Sequence, residues 1–163
     1  MDVGLHGPAS IRPAPGVPRW HFSCRPVPGG QDGVMAAMGL SAMRILVVED
    51  AADIREVFTV LLRSEGATVV AAANGREATE AVARQHFDVI LSDLGLPDVP
   101  GDVLIRQLLA ASRNHTRVVV ITGYGEPYLT RARQAGAEVV FTKPVEWARI
   151  LDYLHRPGPA ASA

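Results

Sequence analysis

The chain has 163 residues, 48% of them hydrophobic, with a single cysteine, Cys24, and sixteen basic against seventeen acidic side chains for a formal net charge of -1. That length predicts one domain of ordinary size with a short appendage, and the charge balance advertises no strongly basic surface for nucleic acid or an anionic membrane, so direct binding to either is not expected. No apolar run reaches the roughly 18–20 residues of a spanning helix, and one cysteine excludes an internal disulfide or a multi-cysteine metal site, so the expectation is a soluble, cytoplasmic chain.

Residues 1–42 carry six of the twelve Pro and seven of the fifteen Gly, with no apolar periodicity. They are expected to be a disordered leader or an over-called translation start, because Met35, Met38 and Met43 all precede the first periodic segment. The expected domain covers residues 43–156, and "PGPAASA" at 157–163 reads as a disordered tail. Within the domain, short β-branched runs alternate with stretches at helical spacing. Ile45 to Val48 is a continuous apolar strand. Ile54, Val57, Phe58, Leu61 and Leu62 fall on one face of a helix that Gly66 ends. Thr68 to Ala73 is a second strand, and Asn74 caps a helix running to about Gln85 with Ala78, Ala81 and Val82 inward. Asp88 to Ser92 is a third strand. The loop "LGLPDVPG" follows it, and Val103, Leu104, Leu108 and Leu109 mark a third helix. Arg117 to Thr122, Tyr128 to Ala135, Val139 to Phe141 and the stretch from Trp147 to Leu154 complete five strand-helix repeats. Such repeats predict an α/β fold, a doubly wound five-stranded parallel sheet.

In that architecture ligands bind at the carboxyl ends of the strands. Glu49 and Asp50 follow strand 1, Asp93 follows strand 3, Thr122 ends strand 4 and Lys143 follows strand 5, so all five belong on one edge. Capping accounts for a lone Asp or Thr at a strand end, but not for the Glu49-Asp50 pair or for a lysine before Pro144. Pro144 is expected to open the last helix, with a cis bond to Lys143. Three carboxylates within ~4 Å would repel by about 4 kcal/mol per pair at an effective dielectric near 20, so a cation is required. An oxygen-rich, cysteine-free, partly open cluster suits Mg²⁺. Lys143 is the only lysine among the sixteen basic residues, and its long stem can reach a carboxylate or a phosphoryl group.

With "ILVVED", "VILSDLGLPDVPG", "VVVITGYG" and "FTKPV" in order and at the family's spacing, the chain from Arg44 to about His155 resembles the receiver domain of two-component response regulators. The resemblance implies the flavodoxin-like (βα)5 receiver fold, with Asp93 as the phosphoacceptor taking a phosphoryl group from a phosphohistidine. It further implies that Asp50 coordinates Mg²⁺ directly and Glu49 through water, with the Gly95 backbone carbonyl as a further ligand. Thr122 would donate to a phosphoryl oxygen beside the Gly123 N–H, and Lys143 would pair with the phosphoryl group. The implied partners are a sensor histidine kinase or a histidine phosphotransfer protein, and a downstream protein meeting the helix 4, strand 5 and helix 5 face through Tyr128, Val140 and Trp147. No output domain is recognisable after residue 156, so a stand-alone receiver or phosphorelay intermediate is expected, a switch rather than an enzyme. The chain departs from the family at Val140, where a switching aromatic is usual; Phe141 alternates to the other sheet face, and Tyr124, two residues past Thr122, is expected to be an exposed loop tyrosine, with partial substitution for that aromatic as the alternative. Gly95 leaves no side chain two residues past Asp93. The alternatives are a pseudo-receiver that binds partners without phosphorylation and a small Mg²⁺ phosphatase, for which Gly95 lacks the second acid. A flavin-binding domain is disfavoured because Glu49 and Asp50 would repel a phosphate.

Overall fold

The computed structural model describes residues 40–112 and 115–157; Cys24, most of the expected leader and all but the first residue of the expected tail lie outside them. Five strands, β1 (Arg44–Val48), β2 (Thr68–Ala72), β3 (Val89–Ser92), β4 (Arg117–Thr122) and β5 (Val139–Thr142), alternate with helices α1 (Ala52–Ser64), α2 (Gly75–Arg84), α3 (Gly101–Ala111), α4 (Tyr128–Ala135) and α5 (Trp147–Leu154). The sheet is parallel throughout in the order β2-β1-β3-β4-β5. Strand order reverses between β1 and β3, which opens a crevice at their carboxyl ends.

Strand alternation divides the interior in two. Leu46, Val48, Ile90, Val118 and Val120 meet the inner faces of α2, α3 and α4. Ile45, Val47, Val89, Leu91, Val119 and Ile121 meet α1 and α5 through Phe58, Leu62, Ile150 and Leu154. Residues of β1, β3 and β4 are buried on both faces, which is why these strands read as unbroken apolar runs. Val140 packs with the first group and Phe141 with the second, as the alternation requires.

Several local expectations need correction. Val57 is 41% exposed and Val60 is 58% exposed. Among the described residues only α1 and α5 cover that side of the sheet, so there one flank of α1 has no neighbouring helix to bury it. On α3, Val103 is exposed while Ile105 is buried, so the inward stripe is rotated from the expected one. Pro144 does not open α5, which begins at Trp147, although the Lys143-Pro144 bond is cis. Leu40, assigned to the leader by its sequence context, is 1% exposed in the α1 and α5 core. Its N–H donates to the Glu65 carbonyl at 2.8 Å. The same segment lies against Gly66, whose φ of 93° ends α1; a Cβ there would sit 3.2 Å from the Ser41 backbone. Asn74 caps α2 as expected, accepting from the Glu77 N–H at 2.9 Å. A second acceptor comes from a distance: both carboxylate oxygens of Asp98, in the β3-α3 loop, accept the N–H groups of Gly75 and Arg76 at 3.0 Å each.

Candidate functional site

Where the strands end, the ladder continues one residue further and sets the acidic and basic side chains. The Glu49 N–H donates to Ala72 at 3.1 Å, the Asp93 N–H to Val48 at 3.0 Å and the Lys143 N–H to Thr122 at 2.7 Å. Glu49, Asp93, Thr122 and Lys143 therefore emerge from four strands onto one edge, as the sequence predicts. The Lys143 ammonium donates to Glu49 Oε2 and to Asp93 Oδ2, both at 3.0 Å. Side-chain exposure is 5% for Glu49, 13% for Asp93 and 17% for Lys143, so this is a largely desolvated ion triad. The other Asp93 oxygen, Oδ1, accepts the Leu94 and Gly95 N–H groups at 2.6 and 3.2 Å. Both oxygens are thus held, one by backbone and one by a cation.

Burial pushes the Glu49 carboxyl above the usual glutamate range; Lys143 offsets part of that, and Asp93 adds to it. Burial alone would lower the Lys143 pKa, but the Asp93 and Glu49 carboxylates outweigh it and hold the ammonium above the usual lysine value. The two directions agree physically: one lysine serves two acids, so each acid receives only part of its compensation.

Asp50 is exposed and does not join the triad. Among the described residues no group of three His, Cys, Asp or Glu side chains lies close enough to cage a metal ion. This donor set still fits Mg²⁺, which uses one or two carboxylates and keeps several waters and a phosphate oxygen instead of taking an all-protein cage. The buried Glu49-Asp93 pair already requires one positive charge.

Thr122 is fully buried and its hydroxyl oxygen accepts the Tyr124 N–H at 3.3 Å. Tyr124 is 46% exposed but not free: its ring packs against that of Tyr128 of α4, with centroids 4.9 Å apart and the planes tilted by 37°. A Cβ added to Gly95 would meet that ring at 3.1 Å, so the Tyr124 side chain fills the space that the missing Gly95 side chain leaves. Among the described residues nothing lies within 4 Å of a Cβ at Gly123, so the turn after β4 is open there. One contact had no prior signal beyond a basic residue near two acids: Arg55 Nη1 donates to the backbone carbonyls of Glu49 and Asp50 at 2.7 and 3.1 Å.

Comparison with known proteins gives a consistent picture. A family model described as the response regulator receiver domain matches residues 45–155. The response regulator protein PilR of Pseudomonas aeruginosa is 37% identical over 112 residues, covering 68% of this chain and 25% of that protein. Sporulation initiation phosphotransferase F of Bacillus subtilis is 29% identical over 120 residues, covering 73% of this chain and 96% of that protein. The chain thus spans a quarter of PilR, and 46% of a similar receiver protein from Anaeromyxobacter. Among solved structures, the receiver domain of a sensor histidine kinase from Pseudomonas aeruginosa PAO1, with a magnesium ion in its active-site cleft, is similar. It superposes with a TM-score of 0.64 at 30% identity, covering 70% of this chain and 95% of that one. A response regulator from Burkholderia pseudomallei carrying a phosphorylated aspartic acid gives a TM-score of 0.64 at 28% identity, with 69% and 66% covered.

Proposed function

This chain belongs to the response regulator receiver family of two-component systems, and on that premise we propose that it accepts a phosphoryl group on Asp93 from a phosphohistidine of a sensor histidine kinase or histidine phosphotransfer protein. In that transfer an Asp93 carboxylate oxygen attacks phosphorus. The P–N bond to the donor imidazole breaks, the acyl phosphate P–O bond forms, and the imidazole leaves with the bonding pair. Such a step asks for in-line positioning and charge neutralisation more than for covalent work. The observation that carries the reading is the Lys143 ammonium held 3.0 Å from both Glu49 and Asp93. It places a fixed cation beside the nucleophile and follows the negative charge onto the phosphoryl oxygens.

Glu49, Asp50, Asp93 and the Gly95 backbone carbonyl would hold Mg²⁺, which supplies a second positive charge for phosphoryl oxygens. Thr122 would turn its hydroxyl proton toward a phosphoryl oxygen, next to the Gly123 N–H. An aspartyl phosphate adds roughly 1.5–2 negative charges, enough to reorganise the turn after β4. In this chain that turn carries Tyr124 against Tyr128, so the change passes to α4 through the contact of these two rings instead of through an aromatic at Val140. The receiving surface for a downstream protein is the α4, β5 and α5 face with Tyr128, Val140 and Trp147.

The protein acts as a switch, and a relay role is supported by its likeness to nearly the full length of sporulation initiation phosphotransferase F. Among the described residues no helix is long and apolar enough to cross a membrane, and the cytoplasm is the compartment this reading proposes. The domain proposed for the switch is residues 43–156 with Leu40 as its added core residue, between a leader and a short tail. Incubation with acetyl phosphate and Mg²⁺ followed by intact mass measurement tests the function. Wild type should gain one phosphoryl group and Asp93→Asn none; an unmodified wild type, or a modified Asp93→Asn, overturns it.

A further inference from the structure

We propose that Arg55 is a positioning residue that sets the β1-α1 turn for divalent-cation binding, through its paired hydrogen bonds to the Glu49 and Asp50 carbonyls. The inference rests on the Mg²⁺ site proposed above. After the Glu49 N–H closes the last ladder bond to Ala72, the chain leaves the sheet and turns into α1 within three residues. The Glu49 and Asp50 carbonyls belong to neither the strand nor the helix, and among the described residues no turn or loop backbone N–H serves them. Arg55 Nη1 reaches back from the first turn of α1 to both, at 2.7 and 3.1 Å. Its own N–H is fixed on the Ala51 carbonyl at 2.9 Å, so the arginine closes a loop over the acidic pair. Holding two successive carbonyls on one nitrogen fixes the peptide between them, and with it the direction in which the Asp50 carboxylate leaves the backbone.

Charge and position act in opposite directions here, which makes the role testable. A permanent cation beside a divalent-cation site repels the metal, so if Arg55 acted by charge alone its removal would tighten binding. If it acts by orienting the ligand loop, its removal loosens binding, as loss of supporting hydrogen bonds around metal ligands commonly does by about 10–100-fold. Lysine preserves the charge, but its ammonium ends one bond short of the Nη1 position and rotates freely instead of being held by a planar guanidinium.

The experiment is calorimetric titration of MgCl₂ into the purified full chain, for wild type, Arg55→Gln, Arg55→Lys and Asp50→Asn, with thermal unfolding of each in metal-free buffer. The expected result is a Kd for Mg²⁺ weakened about tenfold in Arg55→Gln and also weakened in Arg55→Lys. Equal or tighter binding by Arg55→Gln overturns the proposal, as does a lowered Tm with an unchanged Kd, or wild-type affinity in Arg55→Lys. Should Arg55→Gln not fold, Arg55→Lys decides alone. Failure of the underlying site looks different: wild type would bind no Mg²⁺, or Asp50→Asn would bind as wild type does.

Discussion

Replacing Lys143 by methionine keeps the aliphatic stem and deletes the charge. Two carboxylates that are 5% and 13% exposed then lose the only ammonium between them. Each ion pair at 3.0 Å represents about 5–6 kcal/mol of Coulomb attraction at an effective dielectric near 20. Part of that is offset because the lysine no longer has to be desolvated, and removing one partner of a buried pair costs about 3–5 kcal/mol in total. For a domain of this size the midpoint of thermal unfolding should fall by roughly 10–20 °C. Two further observations identify the cause. Glu49 is already held above the usual glutamate range by burial, with Lys143 only partly opposing it. Without the lysine it rises further, so protonation relieves the repulsion, and lowering the pH from neutrality toward 5 should narrow the gap to wild type. Wild type keeps the Lys143 contribution wherever its two acids are ionised and the pH lies below the ordinary lysine range, and loses it as pH climbs through the raised folded value. MgCl₂ should restore more stability to the variant than to wild type, because it returns positive charge to the acids. Calorimetric scans at neutral pH, at pH 5 and with MgCl₂ decide the matter. A midpoint within 2 °C of wild type, or a gap that widens on acidification, would refute the triad as a source of stability.

Leu40→Ala should cost about 2–4 kcal/mol in a urea titration, since the side chain is 1% exposed. A chain beginning at Met43 should lose at least as much and one beginning at Met38 should not; equal midpoints for all would show that Leu40 contributes nothing. Gly101→Ala should destabilise by about 1–3 kcal/mol, because its Cβ would lie 2.7 Å from the Leu94 backbone. Gly95→Ala meets only a tyrosine ring that can swing away and should be milder in the same melts, and the reverse order would contradict the packing described. Hydrogen bonds from the Gly75 and Arg76 N–H groups hold the Asp98 carboxyl below the usual aspartate range. Its contribution is present above the unfolded pKa and fades as pH falls through the lower folded value. Asp98→Ala should therefore lower the Tm at neutral pH and converge on wild type in strong acid, and a pH-independent difference would rule out the charged cap.

The features legible in sequence were those that local physics determines. Strands covered on both faces must be apolar at every position, so "ILVV", "VILS" and "VVVIT" declared themselves, and the strand-end rule then placed Glu49, Asp93, Thr122 and Lys143 on one edge. What escaped depended on neighbours distant in the chain. Val57 has the spacing of an inward residue, and only the two-helix layer on that side of the sheet leaves it exposed. Leu40 sits among Gly and Ala with no period to mark it. Asp98 caps a helix that begins 23 residues earlier, a pairing no local pattern encodes. Asp50 and Glu49 look alike as neighbours in sequence, yet the chain leaves the sheet between them, so one is buried on Lys143 and the other faces outward. Arg55 acts through backbone carbonyls, which every residue has and no motif records.

The triad also has a consequence in time. Asp93 precedes Lys143 by 50 residues and Glu49 precedes it by 94. On a translating ribosome both acids therefore emerge well before the cation that neutralises them. Until β5 is released and docks at the edge of the sheet, Glu49 and Asp93 lack the ammonium that pairs with both of them in the finished domain. The last strand thus completes the ion triad as well as the sheet.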